Sequence, residues 1–327
     1  MKKLNYPPIH LAAVAAAFGA MVCLIFAPAE AIESARYGLS LCAELIVPSL
    51  LPFFAASALL VRLQVPALLG ALLAPLAGKL WGVSGAGASA FLSGICGGYP
   101  LGAQTVAEMY ENRQLSKPEA ERLLAFCNNS GPSFCIGVIG SGVFGNYRAG
   151  IALYAIHILS AALVGVLFRA KTASAPPLQA EQPPPFSAAF VVAIRQSVSA
   201  VLSVCGFVVC FCVLAGLMES LGVFGAAAEM ISGLFHADKS SVHAFLTGLL
   251  ELGSGIGRLR GLPPSAALFS LAAFLTGWGG LSVQFQTSAV LSETELSLRR
   301  HLIGRVLSGV ISALLALLIG KKLFPPG

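Results

Sequence analysis

Apolar positions run along this chain in blocks too long and too continuous for the amphipathic helices of a water-soluble domain. Blocks at 37–61, 120–144, 149–168, 188–217, 265–291 and 298–319 are each long enough to cross a bilayer as a helix. The measure is a hydrocarbon core of roughly 30 Å and a rise of about 1.5 Å per residue. An earlier block, 11–26, follows Lys2 and Lys3 and precedes Ala27-Pro28-Ala29. That pattern fits either a signal peptide or an uncleaved first span, and the later spans favour the second. Two shorter blocks, 65–80 and 223–235, predict helices lying in the membrane interface. Two more, 81–110 and 242–262, are cut midway by glycine clusters and predict re-entrant hairpins.

Polar stretches divide these blocks. Residues 108–122 carry seven charges, and Ser116-Lys117-Pro118-Glu119 reads as a capping box opening the next helix. Residues 169–186 hold five prolines and predict an extended linker. On either side of it the order of parts is the same: a span, an interfacial piece, a hairpin, a broken span and a final span. Three crossings and one returning hairpin per half would turn the second half over. The expected fold is therefore an all-α polytopic membrane protein with an inverted repeat of two halves, each containing a re-entrant helical hairpin and a broken transmembrane helix. The boundaries are an N-terminal helix at 1–35, a first repeat at 36–168, a linker at 169–187 and a second repeat at 188–327.

Composition agrees with a bilayer partner. Hydrophobic residues make up 57% of the chain and charged residues 10%, against about 25% in soluble domains. The net charge of +6 is scattered over segment ends, so no basic face for nucleic acid is present. With the amino end inside, thirteen Lys and Arg fall on the cytoplasmic side, Arg305 among them, and seven outside. The eight cysteines lie in or beside apolar blocks, without CxxC or zinc spacing, and read as small hydrophobes. Nucleotide-phosphate motifs and catalytic triads are missing as well, so the chain reads as a non-enzyme without a cofactor. A coupling ion, sodium or proton, and a homo-oligomer both stay open.

The breaks carry the candidate chemistry. An interrupted helix in hydrocarbon leaves backbone groups unpaired at several kcal/mol each, unless protein or a wet cavity satisfies them. Asn128-Asn129-Ser130-Gly131-Pro132 and Thr276-Gly277-Trp278-Gly279-Gly280 interrupt spans; Gly97-Gly98-Tyr99-Pro100 and Glu251-Leu252-Gly253-Ser254-Gly255 interrupt hairpins. Glycine lets backbone approach a ligand, Tyr99 can stack on a ring, and Gln104 follows one turn later. Glu251 is an intramembrane acid, able to bind a cation or a solute donor, or to pair with Arg258. Solute-binding candidates are thus Gly97, Gly98, Tyr99, Pro100, Gln104, Asn128, Asn129, Ser130, Glu251, Ser254, Gly255 and Thr276. Kinks and small-residue packing are the structural alternatives. His157, alone on an apolar helix, reads as structural.

Three motifs together resemble a known family. Gly97-Gly98-Tyr99-Pro100-Leu101-Gly102-Ala103, Glu119-Ala120-Glu121-Arg122-Leu123 and Phe126-Cys127-Asn128-Asn129-Ser130-Gly131-Pro132 are similar to the YlbJ-like sporulation integral membrane proteins. Gly-Gly-Tyr-Pro stands where the family form is Ser-Gly-Tyr-Pro, and the second-half motifs match less distinctly. The resemblance implies a nucleoside-recognition, or Gate, domain laid out like concentrative nucleoside transporters. It further implies a multi-pass bacterial membrane protein acting in endospore formation, moving dipicolinic acid across the outer forespore membrane. From the residues alone, a nucleoside transporter and a non-transporting membrane scaffold remain alternatives.

Overall fold

The computed structural model describes residues 8–170 and 184–325; most of the expected linker lies outside them. All regular elements among the described residues are helices. α1 (Pro8–Phe26) meets α2 (Pro28–Leu41) at a bend of 105°. A single π segment, Cys42–Ile46, then joins α2 to α3 (Val47–Arg62) without a break. α4 (Val65–Leu80) and α10 (Val223–Phe235) match the two blocks expected at the interface. Each follows a residue with left-handed backbone, Gln64 and Gly222, which turns the chain sharply out of the preceding long helix.

Each half then folds a helix back on itself. In the first, α5 (Gly85–Gly97) and α6 (Leu101–Glu111) flank a tip at Gly98–Pro100. In the second, α11 (Lys239–Leu250) and the short α12 (Leu252–Gly257) flank a tip at Glu251. The broken elements follow. α7 (Lys117–Leu123) gives way to extended chain that restarts as a π-helix, Ser133–Val143, while α13 (Ala266–Trp278) resumes as α14 (Gly280–Leu291). α8 (Tyr147–Leu167) and α15 (Arg299–Leu323) end the two series, and α9 (Phe186–Ser220) opens the second.

Among the described residues, four helical segments are long and apolar enough to cross a membrane: Tyr147–Leu167, Phe186–Ser220, Ala266–Leu291, which includes the second break, and Arg299–Leu323. Counting each bent pair as one span raises this to six. In the first half Glu30, Glu33 and Glu44 make the 28–62 helix more polar, and the first break leaves Ser133–Val143 as the apolar helix of the 120–144 block.

The expected capping box does not form. Ser116 precedes α7, but its side chain caps nothing. Glu119 is instead fully buried, and its Oε1 accepts from Ser84 N at 2.6 Å. The carboxylate therefore serves the start of α5, where a helix amino terminus attracts negative charge. It fastens the first hairpin to the broken element beside it.

Small residues bring the helices close. Gly277 of α13 lies against Gly309 of α15, and Gly38 of α2 against Val209 and Cys212 of α9. Such contacts suit helices that associate without a hydrophobic drive between them. Two cores result. One packs Phe91, Leu123 and Phe126 beneath the first hairpin; the other packs Leu153, Ile256 and Phe269 beneath the second.

Candidate functional site

Close backbone packing and side-chain hydrogen bonds together hold the first break. The two arms of the first hairpin straddle the Cys127 carbonyl, so a Cβ on either Gly94 or Gly102 would collide with its oxygen. Gly98, with φ of +83°, turns the tip against Gly131. The polar side chains of the break are then drawn inward, and Asn128, Asn129 and Ser130 are all buried.

Their hydrogen bonds run both within the break and to other elements. Asn128 Nδ2 donates to Thr287 Oγ1 at 2.9 Å, while its Oδ1 is buried without a hydrogen bond. Asn129 Nδ2 donates to Phe126 O at 2.7 Å. Ser130 N donates to His157 Nε2 at 2.9 Å, which puts the proton of a neutral ring on Nδ1, a buried atom with no partner. His157, alone on its apolar helix, thus meets the first break through one ring nitrogen.

The second hairpin tip is a built cap. Glu251 accepts from Gly253 N at 3.0 Å and from Ser254 N at 2.5 Å. It does not pair with Arg258, which contacts Glu219 at 3.5 Å on the side of α9. The two tips meet: Gly98, Tyr99, Ser130, Gly131, Glu251 and Gly253 line one small cavity of about 90 Å³. A larger cavity of about 490 Å³ is lined by the exposed Glu108, Glu111 and Glu293 together with Pro100 and Gln104. Gln286 and Val204 line both.

Six sequence candidates therefore face a cavity: Gly98, Tyr99, Ser130 and Glu251 the small one, Pro100 and Gln104 the large one. The other six frame it. Gly97 and Gly255 permit close packing within the hairpins. Asn128 and Asn129 tie the first break, and Ser254 supplies an amide to Glu251. Thr276 offers its carbonyl, which accepts from the Tyr99 hydroxyl at 2.8 Å.

Arg305 corrects the sequence reading most. Counted there as a cytoplasmic charge, it is fully buried. Its NH1 donates to Tyr99 Oη at 3.2 Å and its NH2 to Asn129 Oδ1 at 3.4 Å; its Nε–H has no partner. Among the described residues no carboxylate lies within ion-pair distance of it. The signal was available in α15, where His301, Arg305, Ser308 and Ser312 recur on one face, all buried. Ser282 and Gln286 of α14, which line the small cavity beyond the second break, were also passed over.

No family model matches the chain. The sporulation integral membrane protein YlbJ of Bacillus subtilis (strain 168) is 29% identical over 323 residues, covering 91% of this chain and 79% of YlbJ. Two solved structures of CNTnw variants, one in an intermediate and one in an outward-facing state, share the fold at 16% identity. The first has a TM-score of 0.53 and covers 98% of this chain and 89% of CNTnw; the second has 0.50, covering 95% and 83%. The similarity to YlbJ thus extends from the first-half motifs over most of the chain, on a fold shared with the CNTnw structures.

Proposed function

We propose that this protein carries a small organic anion across a membrane, passing it between the two hairpin tips and the two helix breaks. Dipicolinic acid, moved across the outer forespore membrane of a spore former, is the solute we favour. The observation that carries the anionic reading is Arg305. A buried guanidinium without a carboxylate partner costs free energy inside a membrane, and residues of that kind mark solute or ion pathways. It donates to the hydroxyl of Tyr99, a residue that lines the small cavity. A carboxylate within about 4 Å of such a charge gains roughly 4 kcal/mol at an effective dielectric of 20. Likeness to YlbJ, a protein named for sporulation, supports the cellular setting.

A nucleoside is the second reading. Glu251 lines the same cavity and could accept from ribose hydroxyls, and CNTnw supplies the fold precedent. Purified protein in proteoliposomes separates the cases. Uptake of dipicolinate above a nucleoside panel is the expected result. Nucleoside uptake alone would establish the second reading, and uptake of neither would leave a membrane scaffold.

A further inference from the structure

Behind the second break, polar groups form a line that neither cavity touches. It starts at the carbonyl of Leu124, just past α7, which is 3.0 Å from His301 Nδ1. His301 Nε2 is 2.8 Å from Gln284 Oε1, and Gln284 Nε2 lies 2.7 Å from the carbonyl of Trp278. His301 and Gln284 are 0% and 3% exposed, so water replaces none of these contacts.

The line begins and ends on carbonyl oxygens, which only accept. Three contacts need three protons. A neutral imidazole brings one N–H, and a glutamine amide presents donors at one end and an acceptor at the other. With either tautomer of His301 and either orientation of the Gln284 amide, a neutral set makes at most two of the three hydrogen bonds. The third contact then sets two lone pairs against each other in a buried site, at the cost of an unmade bond. An imidazolium makes all three.

We propose that His301 is a proton-binding site. Two influences oppose its charge: burial, and the Arg305 guanidinium one turn further along α15. α13, packed on α15, and α14, joined to it through Gln284, carry no charged side chain. α8 brings Arg148 and His157, and α7 brings Lys117, Glu119, Glu121 and Arg122. Of these, Glu119 is committed to Ser84 N and Arg122 donates to Gly82 O. Only the imidazolium makes all three hydrogen bonds, and these weigh for the proton against burial and Arg305.

Its location gives the proton leverage. Leu124 leads into the first break, Gln284 follows the second, and Trp278 Nε1 donates to Leu249 O beside the second hairpin tip. A bound proton fastens these elements to α15, and its loss opens one link. Resting on the carrier reading above, the proton is then the ion that drives the solute.

Two measurements test the site and the coupling separately. Histidine-selective 15N NMR of the full-length protein in detergent reads His301 directly, with the resonance assigned by its loss in His301→Gln. Both ring nitrogens protonated over part of the range from about pH 5 to pH 8 is the expected outcome. A single neutral tautomer throughout would overturn the site. Gln284→Glu, which sets a carboxylate against the ring, should hold the imidazolium to more alkaline pH. In proteoliposomes without sodium, an inward proton gradient should raise dipicolinate uptake about tenfold, and His301→Gln should keep basal uptake but lose that response. A gradient response surviving in His301→Gln would overturn the coupling. Wild-type protein that takes up no dipicolinate would refute the carrier reading instead, and leave the NMR result to decide the proton site.

Discussion

The hydroxyl of Tyr99 sits 3.2 Å from an Arg305 guanidinium nitrogen, although 206 positions separate the two residues in the chain. The same hydroxyl donates to the Thr276 carbonyl, so the tip of the first hairpin is fastened at once to the second break and to the last helix. A buried charge, a hairpin tip and a helix break meet at one oxygen atom. Its removal reaches all three.

Tyr99→Phe should therefore cost more than the loss of a typical exposed hydroxyl. It leaves Arg305 NH1 and the Thr276 carbonyl without their partner, at about 1–3 kcal/mol each for a buried group. Arg305→Met removes the charge together with its need for partners, so adding Tyr99→Phe to it should cost less than Tyr99→Phe alone. Melting curves of the three purified variants measure this. Additive losses would mean that the two residues do not interact.

The hairpin glycines make a sharper case. Gly94→Ala and Gly102→Ala each drive a methyl group into the Cys127 carbonyl, a backbone atom that cannot swing away. Each should lose at least about 3 kcal/mol, the upper range for overpacking. Gly137→Ala, with nothing within 4 Å of the added carbon, should melt near wild type. Equal melting of all three variants would contradict the hairpin packing.

Much of this arrangement is legible in the sequence, because bilayer physics writes it in large units. The 65–80 and 223–235 helices appear at their expected bounds, the first running through Pro75 and Lys79. The glycine clusters marked both hairpin tips, and Asn128–Pro132 marked the first break. What stayed hidden depends on which way one side chain points. Arg305 lies six residues after Arg299, close enough to the helix start to count as a loop charge, yet its helical phase turns it inward. Glu119 matched a capping pattern, but the neighbouring α5 amino terminus offered a better electrostatic partner. Ser282 and Gln286 fall beyond the glycines of the second break, in a helix whose polar residues do not interrupt anything.

Topology is open to a direct test. An inverted repeat requires the α6–α7 connection and the α10–α11 connection to lie on opposite faces, with the former cytoplasmic. On a cysteine-free background, single cysteines at Lys117 and Lys239, both exposed, should label from opposite sides. Labelling of both from one side would reject the inversion.

Gln286 gives the most local prediction for the solute path, since it lines both cavities. Its amide nitrogen donates to Ser282 Oγ at 3.3 Å, a weak link within α14, while its buried carbonyl oxygen has no partner. An unpaired acceptor at such a junction is free for a donor on the solute or on water travelling with it. Gln286→Leu keeps the volume roughly constant, removes the orphaned acceptor and makes the junction apolar. Replacing a buried unsatisfied polar group by an apolar one of similar shape is close to neutral for stability. Losing a contact to a passing solute costs about 1–3 kcal/mol, or roughly tenfold or more in affinity. The variant should therefore melt at or above the wild-type temperature and yet take up dipicolinate at a tenth of the rate or less. Wild-type uptake in Gln286→Leu would mean that the solute does not pass between the two cavities at this side chain.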